Sequence, residues 1–238
     1  MLKIDLSILK ETPQLTVSAE LLLEPLAPLS MVNEMPGSFY KTLKKPSQKM
    51  ICGLIENVLG WHFDWKDRKS IQDEVKKIRK KQKKEFVDYT DGSTYIPLLM
   101  DFIKIDGETR IDFSEVCFFN DLWSRCYRRA DAVVHPKGTV NIDSMYIPLK
   151  WQLKRDDKNE DKVDDKALEV FFKKNIGKFP MYYTTPTVRE YIDLKGSYVI
   201  PLLMDEKLFT LLADEIKVNN TGYLGNSEGW INLKLTRL

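Results

Sequence analysis

The sequence predicts an α+β fold built around an antiparallel sheet. Three observations carry this reading. A strand-like alternation near the N-terminus sets Leu15, Val17, Ala19 and Leu21 against Thr16, Ser18 and Glu20. Two apolar segments, around Ile51 and around Leu208, repeat at helical spacing instead. Asp106-Gly107, between two strand-like runs, is a strong tight-turn signal. With 238 residues and 43% hydrophobic content, the chain is read as one domain, 1–238. It carries a polar helical insertion at about 66–88 and a charged loop at about 154–166.

The elements follow in order. Pro25 and Pro28 end the first strand, and 30–45 reads as a loop with Pro36-Gly37-Ser38. Pro46 suits the first turn of a helix whose apolar face is Met50, Ile51, Leu54, Ile55, Val58 and Leu59. Gly53 inside it suggests close packing against another element, and Gly60 is a C-terminal cap. Asp67–Glu85 predicts a polar second helix with Ile71, Val75 and Ile78 as a thin apolar stripe. Tyr95–Ile105 and Thr109–Phe119 predict a hairpin across Asp106-Gly107. Asp156–Lys166 alternates acids and lysines, so a solvated loop is expected. A short helix at Ala167–Lys174, strands at 179–183, 191–192 and 198–203, a helix at Glu206–Ile216, a Gly-rich turn and a last strand from Trp230 complete the chain. Ile-Pro-Leu recurs at 96–98, 147–149 and 200–202, too short a similarity for a repeat array.

Several function classes fall away. No apolar run reaches the roughly 20 residues of a membrane span, and Asp5 sits where a leader would be apolar. Cys52, Cys117 and Cys126 form no CxxC pair and suit a reducing, cytoplasmic setting. His62 and His135 are the only histidines, too few for a multi-His metal site. No phosphate-binding Gly loop, dinucleotide fingerprint, zincin or serine-elbow motif occurs, and no cofactor is expected.

The net charge of +2 conceals separated fields: cations gather at 41–49, 76–84 and 125–129, acids at 156–165. Lys41, Lys44, Lys45 and Lys49 stand before and in the first turn of the first helix, with Ser47 adding a hydroxyl. Lysines and a helix N-terminus together suit phosphate, and a solvated basic loop is the alternative. His62, among Trp61, Phe63 and Trp65, is a base-contact candidate, while Trp61 or Phe63 is expected to be buried. Arg125, Arg128 and Arg129, near Trp123 and Tyr127, combine guanidinium forks with ring faces, although Asp121 and Asp131 offer ordinary ion pairs. His135 and Lys137 lie in a predicted turn. Gly222, Gly225 and Gly229 allow positive φ and close backbone approach to phosphate or base, or simply tight turns.

Pro46 to Gly60, PSQKMICGLIENVLG, is similar to the pattern P-P-S-K-x-x-x-G-L-L-x-x-x-L-G in the first helix of the Cas-five family. That family belongs to the RAMP superfamily of CRISPR-associated proteins. Arg189-Glu190-Tyr191-Ile192 resembles its R-E-Y-L strand, and Gly222-Tyr223-Leu224-Gly225 with Gly229 resembles the superfamily's Gly-rich loop. The resemblance implies a ferredoxin-like (RRM-like) core with an inserted hairpin or thumb, matched to 110–150. It implies a non-catalytic subunit that holds the 5′ handle of crRNA in a type I Cascade complex. The implied protein partners are the CRISPR backbone subunit and the large subunit, with target DNA near the PAM a further candidate and no membrane. A metal-independent endoribonuclease processing precursor crRNA is the alternative, for which His62, His135, Tyr127 and Lys49 are the candidate catalytic residues.

Overall fold

The computed structural model describes residues 4–32, 39–84, 86, 95–124, 126–127, 149, 152–175, 182–183 and 186–238. In chain order the elements are β1 (Leu15–Pro25), α1 (Gln48–Val58), α2 (Trp65–Lys81), β2 (Ile103–Ile105), β3 (Arg110–Trp123), β4 (Cys126–Tyr127), β5 (Arg155–Asp156), β6 (Asn159–Val163), α3 (Asp165–Asn175), β7 (Tyr182–Tyr183), β8 (Thr187–Asp205), α4 (Glu206–Val218), β9 (Thr221–Tyr223) and β10 (Trp230–Arg237). They fall into two compact units, residues 1–121 with 188–238 and residues 122–187.

The first unit is a sheet in the order β2-β8-β1-β10-β9, antiparallel along that path, with β3 also paired to β8. Alternation decides which face is dry. Val17, Ala19, Leu21 and Leu23 of β1 are buried and meet Leu202, Ile200 and Tyr198 of β8 and Leu233 and Ile231 of β10 in the core. α1 and α4 cover that face with Ile51, Leu54, Ile55 and Val58, and with Leu208 and Leu212. Each such buried aliphatic side chain contributes roughly 1.5–3 kcal/mol of transfer free energy. Asp205 caps α4 by accepting from Lys207 N and Leu208 N.

Several expectations are corrected. Pro46 does not enter α1: Ser47 is its N-cap, with its side chain accepting from Met50 N, and Pro46 is buried just outside the helix. Gly60 does close α1, at φ +72, one residue beyond the C-cap Leu59. The strand expected over 95–105 shortens to β2. Pro97 has no amide to give a ladder, and Leu98 N and Leu99 N donate to the Glu56 carboxylate at 2.7 and 3.2 Å. The Asp106-Gly107 turn exists, with Gly107 at φ +118. Its two arms, however, pair with β8 rather than with each other, because 19-residue β8 is long enough to take both.

Strands expected separately at 191–192 and 198–203 therefore merge into β8. Gly196 permits this crossing: a Cβ there would lie 2.1 Å from Asp112 O on β3. Pro201 sits mid-strand without cost to β2, since its side of the ladder meets the turn, where Asp106 N donates to Pro201 O.

In the second unit, the charged loop expected over 154–166 is instead the hairpin β5–β6 followed by the start of α3. The Asp156 carboxylate accepts from Lys158 N and Asn159 N and so closes the turn. Val163, its one apolar residue, is buried. β4 pairs with β7. No helix among the described residues is long and apolar enough to cross a membrane.

Candidate nucleic-acid interface

The site begins with a loop that the rest of the fold holds in place. Segment 29–32 runs antiparallel to β8 at Leu29↔Ile192 and to the lysine loop at Val32↔Thr42. Leu43 N donates to Met31 O at 2.7 Å, and Met31 N donates to Thr42 Oγ1 at 3.0 Å. Thr42 N donates to the Glu190 carboxylate at 3.0 Å, while Ser30 Oγ donates to Glu190 O at 2.9 Å. Tyr40 bridges to Arg189, whose guanidinium lies 4.9 Å from the Tyr40 ring centroid. The Arg-Glu-Tyr segment of β8 thus braces the lysine loop. Its third member, Tyr191, stacks on Phe119 with ring centroids 5.4 Å apart.

On this scaffold Lys41 and Lys44 are exposed, and neither makes an ion pair among the described residues. Lys45 is partly spent on Glu108, 2.9 Å away, and Lys45 in turn holds the Glu108 carboxyl below its ordinary range. Ser47 Oγ is occupied as the cap acceptor of α1. Lys49 lies half-buried in the first turn, beside Gln48, whose amide donates to Met100 O and Ile103 O and ties the helix start to β2.

The Gly-rich loop shares the same support. Gly225, exposed and at φ +80, packs so closely on segment 29–32 that a Cβ would lie 2.5 Å from Ser30 O. The glycine and the lysine loop therefore flank one short piece of chain. Gly222 has another purpose. It is buried in β9, where a Cβ would meet Leu54 Cδ1 at 2.7 Å and Val58 Cγ2 at 3.0 Å on α1, so it serves packing rather than positive φ.

His62 is exposed and stands past the far end of α1, next to buried Trp61 and ahead of Trp65, which is 60% exposed. An 11-residue helix is about 16 Å long. His62 and Lys49, paired on paper as catalytic groups, are kept apart by roughly that span. Arg125, Arg128, Arg129, His135 and Lys137 lie outside the described residues. Tyr127 pairs with Tyr182 through its backbone, and its side chain is outside them too. Among the described residues no group of three or more His, Cys, Asp or Glu side chains is placed to hold a metal ion.

What sequence reading missed is the polar buried face of α2. Arg68, Gln72 and Arg79 are buried there, and the expected apolar residues Ile71, Val75 and Ile78 are only half-buried beside them. Arg68 donates to Trp61 O at 2.9 Å and Ile96 O at 3.1 Å and pairs with the buried Glu56. A charged residue on α1 at the apolar period was the available signal: Glu56 lies between Ile55 and Val58, one turn after Cys52.

The family model described as CRISPR-associated protein Cas5p matches residues 4–235. No curated protein matches the chain. A chain of the "Cryo-EM structure of the Type III-B Cmr-beta bound to cognate target RNA and AMPPnP, state 1" is similar at 11% identity and a TM-score of 0.34. The match covers 90% of this chain and 62% of that one, so the present chain spans less than two thirds of that relative's length.

Proposed function

Since the chain belongs to the CRISPR-associated Cas5p family, we propose that it is a non-catalytic RNA-binding subunit of a type I interference complex. It holds the 5′ handle of crRNA at the lysine loop before α1 and caps the row of backbone subunits beside the large subunit. The observation that carries this reading is the braced loop: exposed Lys41 and Lys44 on a backbone that Glu190 and Thr42 fix in place. A preorganised cationic loop loses little conformational freedom when it meets phosphate, and each contact releases counterions. The sheet order β2-β8-β1-β10, with α1 and α4 on one face, is the order of a ferredoxin-like core and supports that reading of the fold.

The test is binding of a single-stranded repeat-derived RNA to the chain with Lys41, Lys44 and Lys49 replaced by Ala. Loss of affinity with a flatter salt dependence is expected. Unchanged affinity and slope would count against the loop. Metal-independent cleavage of that RNA in EDTA, lost in His62→Ala, would replace this reading with the endoribonuclease one. The separation of His62 from Lys49 along α1 favours the binding role.

A further inference from the structure

The structure assigns a second nucleic-acid surface, on α2, for the phosphate backbone of a duplex. Between Trp65 and Lys84 the chain carries ten Lys or Arg residues against three acids. Arg68 and Arg79 are buried, and Lys66, Lys69, Lys76, Lys77, Lys80 and Lys81 are exposed. At roughly 100° per residue these six lysines fall in one arc of about 140°, opposite the buried face. The one acid within the arc, Asp73, is already paired with Lys69 at 3.6 Å. Lys77, Lys80 and Lys81 make no ion pair among the described residues.

The helix does not want this row for its own sake. Lys76–Lys80 and Lys77–Lys81 are like-charge pairs at i,i+4, which repel. The dipole welcomes cations in the last turn, but Lys66 lies in the first, at the positive end. Repulsion of this kind is relieved by a polyanion. From Lys66 to Lys81 the row extends about 22 Å on a straight helix. It is held still at its base by Arg68 through Glu56, Trp61 O and Ile96 O.

The choice of a duplex follows from what the row lacks. Aromatic residues stand only at the ends of the row: Trp65, 60% exposed, precedes Lys66, and the Phe86 ring lies 5.7 Å from Lys76 Nζ. None lies between Lys66 and Lys81, so the row lacks the series of rings on which successive unpaired bases would stack. Lysines are point charges without the fork that reads a base edge. A row of charge about 22 Å long, with no forks and no series of rings, suits sequence-independent contact with a double-stranded backbone. This surface belongs to a different element from the lysine loop before α1, and it stands whether or not that loop binds RNA.

The experiment uses the full chain and a fluorescein-labelled, random-sequence DNA duplex, with anisotropy followed between about 50 and 200 mM salt. Replacing Lys77, Lys80 and Lys81 by Glu is expected to weaken duplex binding at least about tenfold and to lower the log–log salt slope by about 2–3. The Gln triple variant should show a smaller loss, and binding of short single-stranded RNA should not change in either. Wild-type duplex affinity and slope in the Glu variant would overturn the assignment. So would tighter binding of polyglutamate than of duplex at equal charge, which would make an acidic polypeptide the occupant.

Discussion

Glu56 of α1 and Arg68 of α2 form an ion pair sealed in the first unit, with 0% and 8% of the residue exposed. Both groups make further bonds to the backbone. Leu98 N and Leu99 N donate to the carboxylate, and Trp61 O and Ile96 O accept from the guanidinium. A Cβ built on Gly53, one turn before Glu56, would meet the Tyr95 ring at an ordinary contact distance of 3.5 Å, and the Arg68 guanidinium stacks 4.9 Å from the centroid of that ring. Arg68→Met leaves a buried charge without its partner, so a loss of about 3–5 kcal/mol is expected. Glu56→Gln keeps an acceptor for Leu98 and Leu99 and should cost less. Urea denaturation of both variants checks the order; equal losses would mean that the charge pair, which both variants break, carries the energy, and that the Arg68 bonds to Trp61 O and Ile96 O add little.

Arg79 presents the opposite case. It is buried, its two terminal nitrogens have no hydrogen-bond partner among the described residues, and burial pulls its pKa down. It borders a cavity of about 30 Å³ with Gln72, Asp101 and Phe102. An unmet buried donor costs roughly 1–3 kcal/mol. Arg79→Met, similar in length and apolar, is expected to be neutral or to stabilise by about 1 kcal/mol. A clear fall in melting temperature would show that the guanidinium is satisfied in solution.

Gly196 lets β3 lie on β8, and any Cβ would collide with backbone rather than with a yielding side chain: 2.1 Å to Asp112 O and 2.5 Å to Phe113 Cα. Gly196→Ala should detach this part of β3 at a cost of about 2 kcal/mol or more. Hydrogen exchange over 112–116 should accelerate, while β1 and β10 stay protected. Unchanged protection in 112–116 would place β3 elsewhere.

Glu190 acts on the lysine loop without carrying positive charge. Its carboxylate is the acceptor of Thr42 N. Glu190→Ala should weaken single-stranded RNA binding severalfold by loosening the loop, but leave the salt slope intact because no cation is lost. Direct charge contacts would show the reverse pattern. A changed slope with unchanged low-salt affinity would therefore contradict the bracing role.

Tyr198 is fully buried in the core, and burial pushes its hydroxyl up to about 12. A raised pKa supplies stability that is whole below the unfolded-chain value near 10 and is lost as pH rises through the folded value. Between those two values the unfolded chain loses its proton first and unfolding is favoured, by on the order of 1–3 kcal/mol at the top of the window. Tyr198→Phe removes that slope. Melting curves of the two proteins should diverge above about pH 10, and parallel curves would argue that the hydroxyl reaches water.

Local patterns carried much of the architecture. Period-two burial in β1, the apolar stripe of α1 with Gly60 at its end, the helix after Asp205 and the final strand from Trp230 depend on neighbours within a few residues, and sequence periodicity records such relations directly. The family resemblance rested on the same local segments, 46–60 and 189–192, and the match over 4–235 agrees with it. Pairing across long separations was a different matter. That β2 and β3 both join β8, that Glu190 braces Thr42 from 148 residues away, and that Glu56 draws Arg68 and the 98–99 amides inward are settled by three-dimensional closure. No spacing rule registers a buried charge whose partner arrives from another helix, because its desolvation is offset only once the chain has folded.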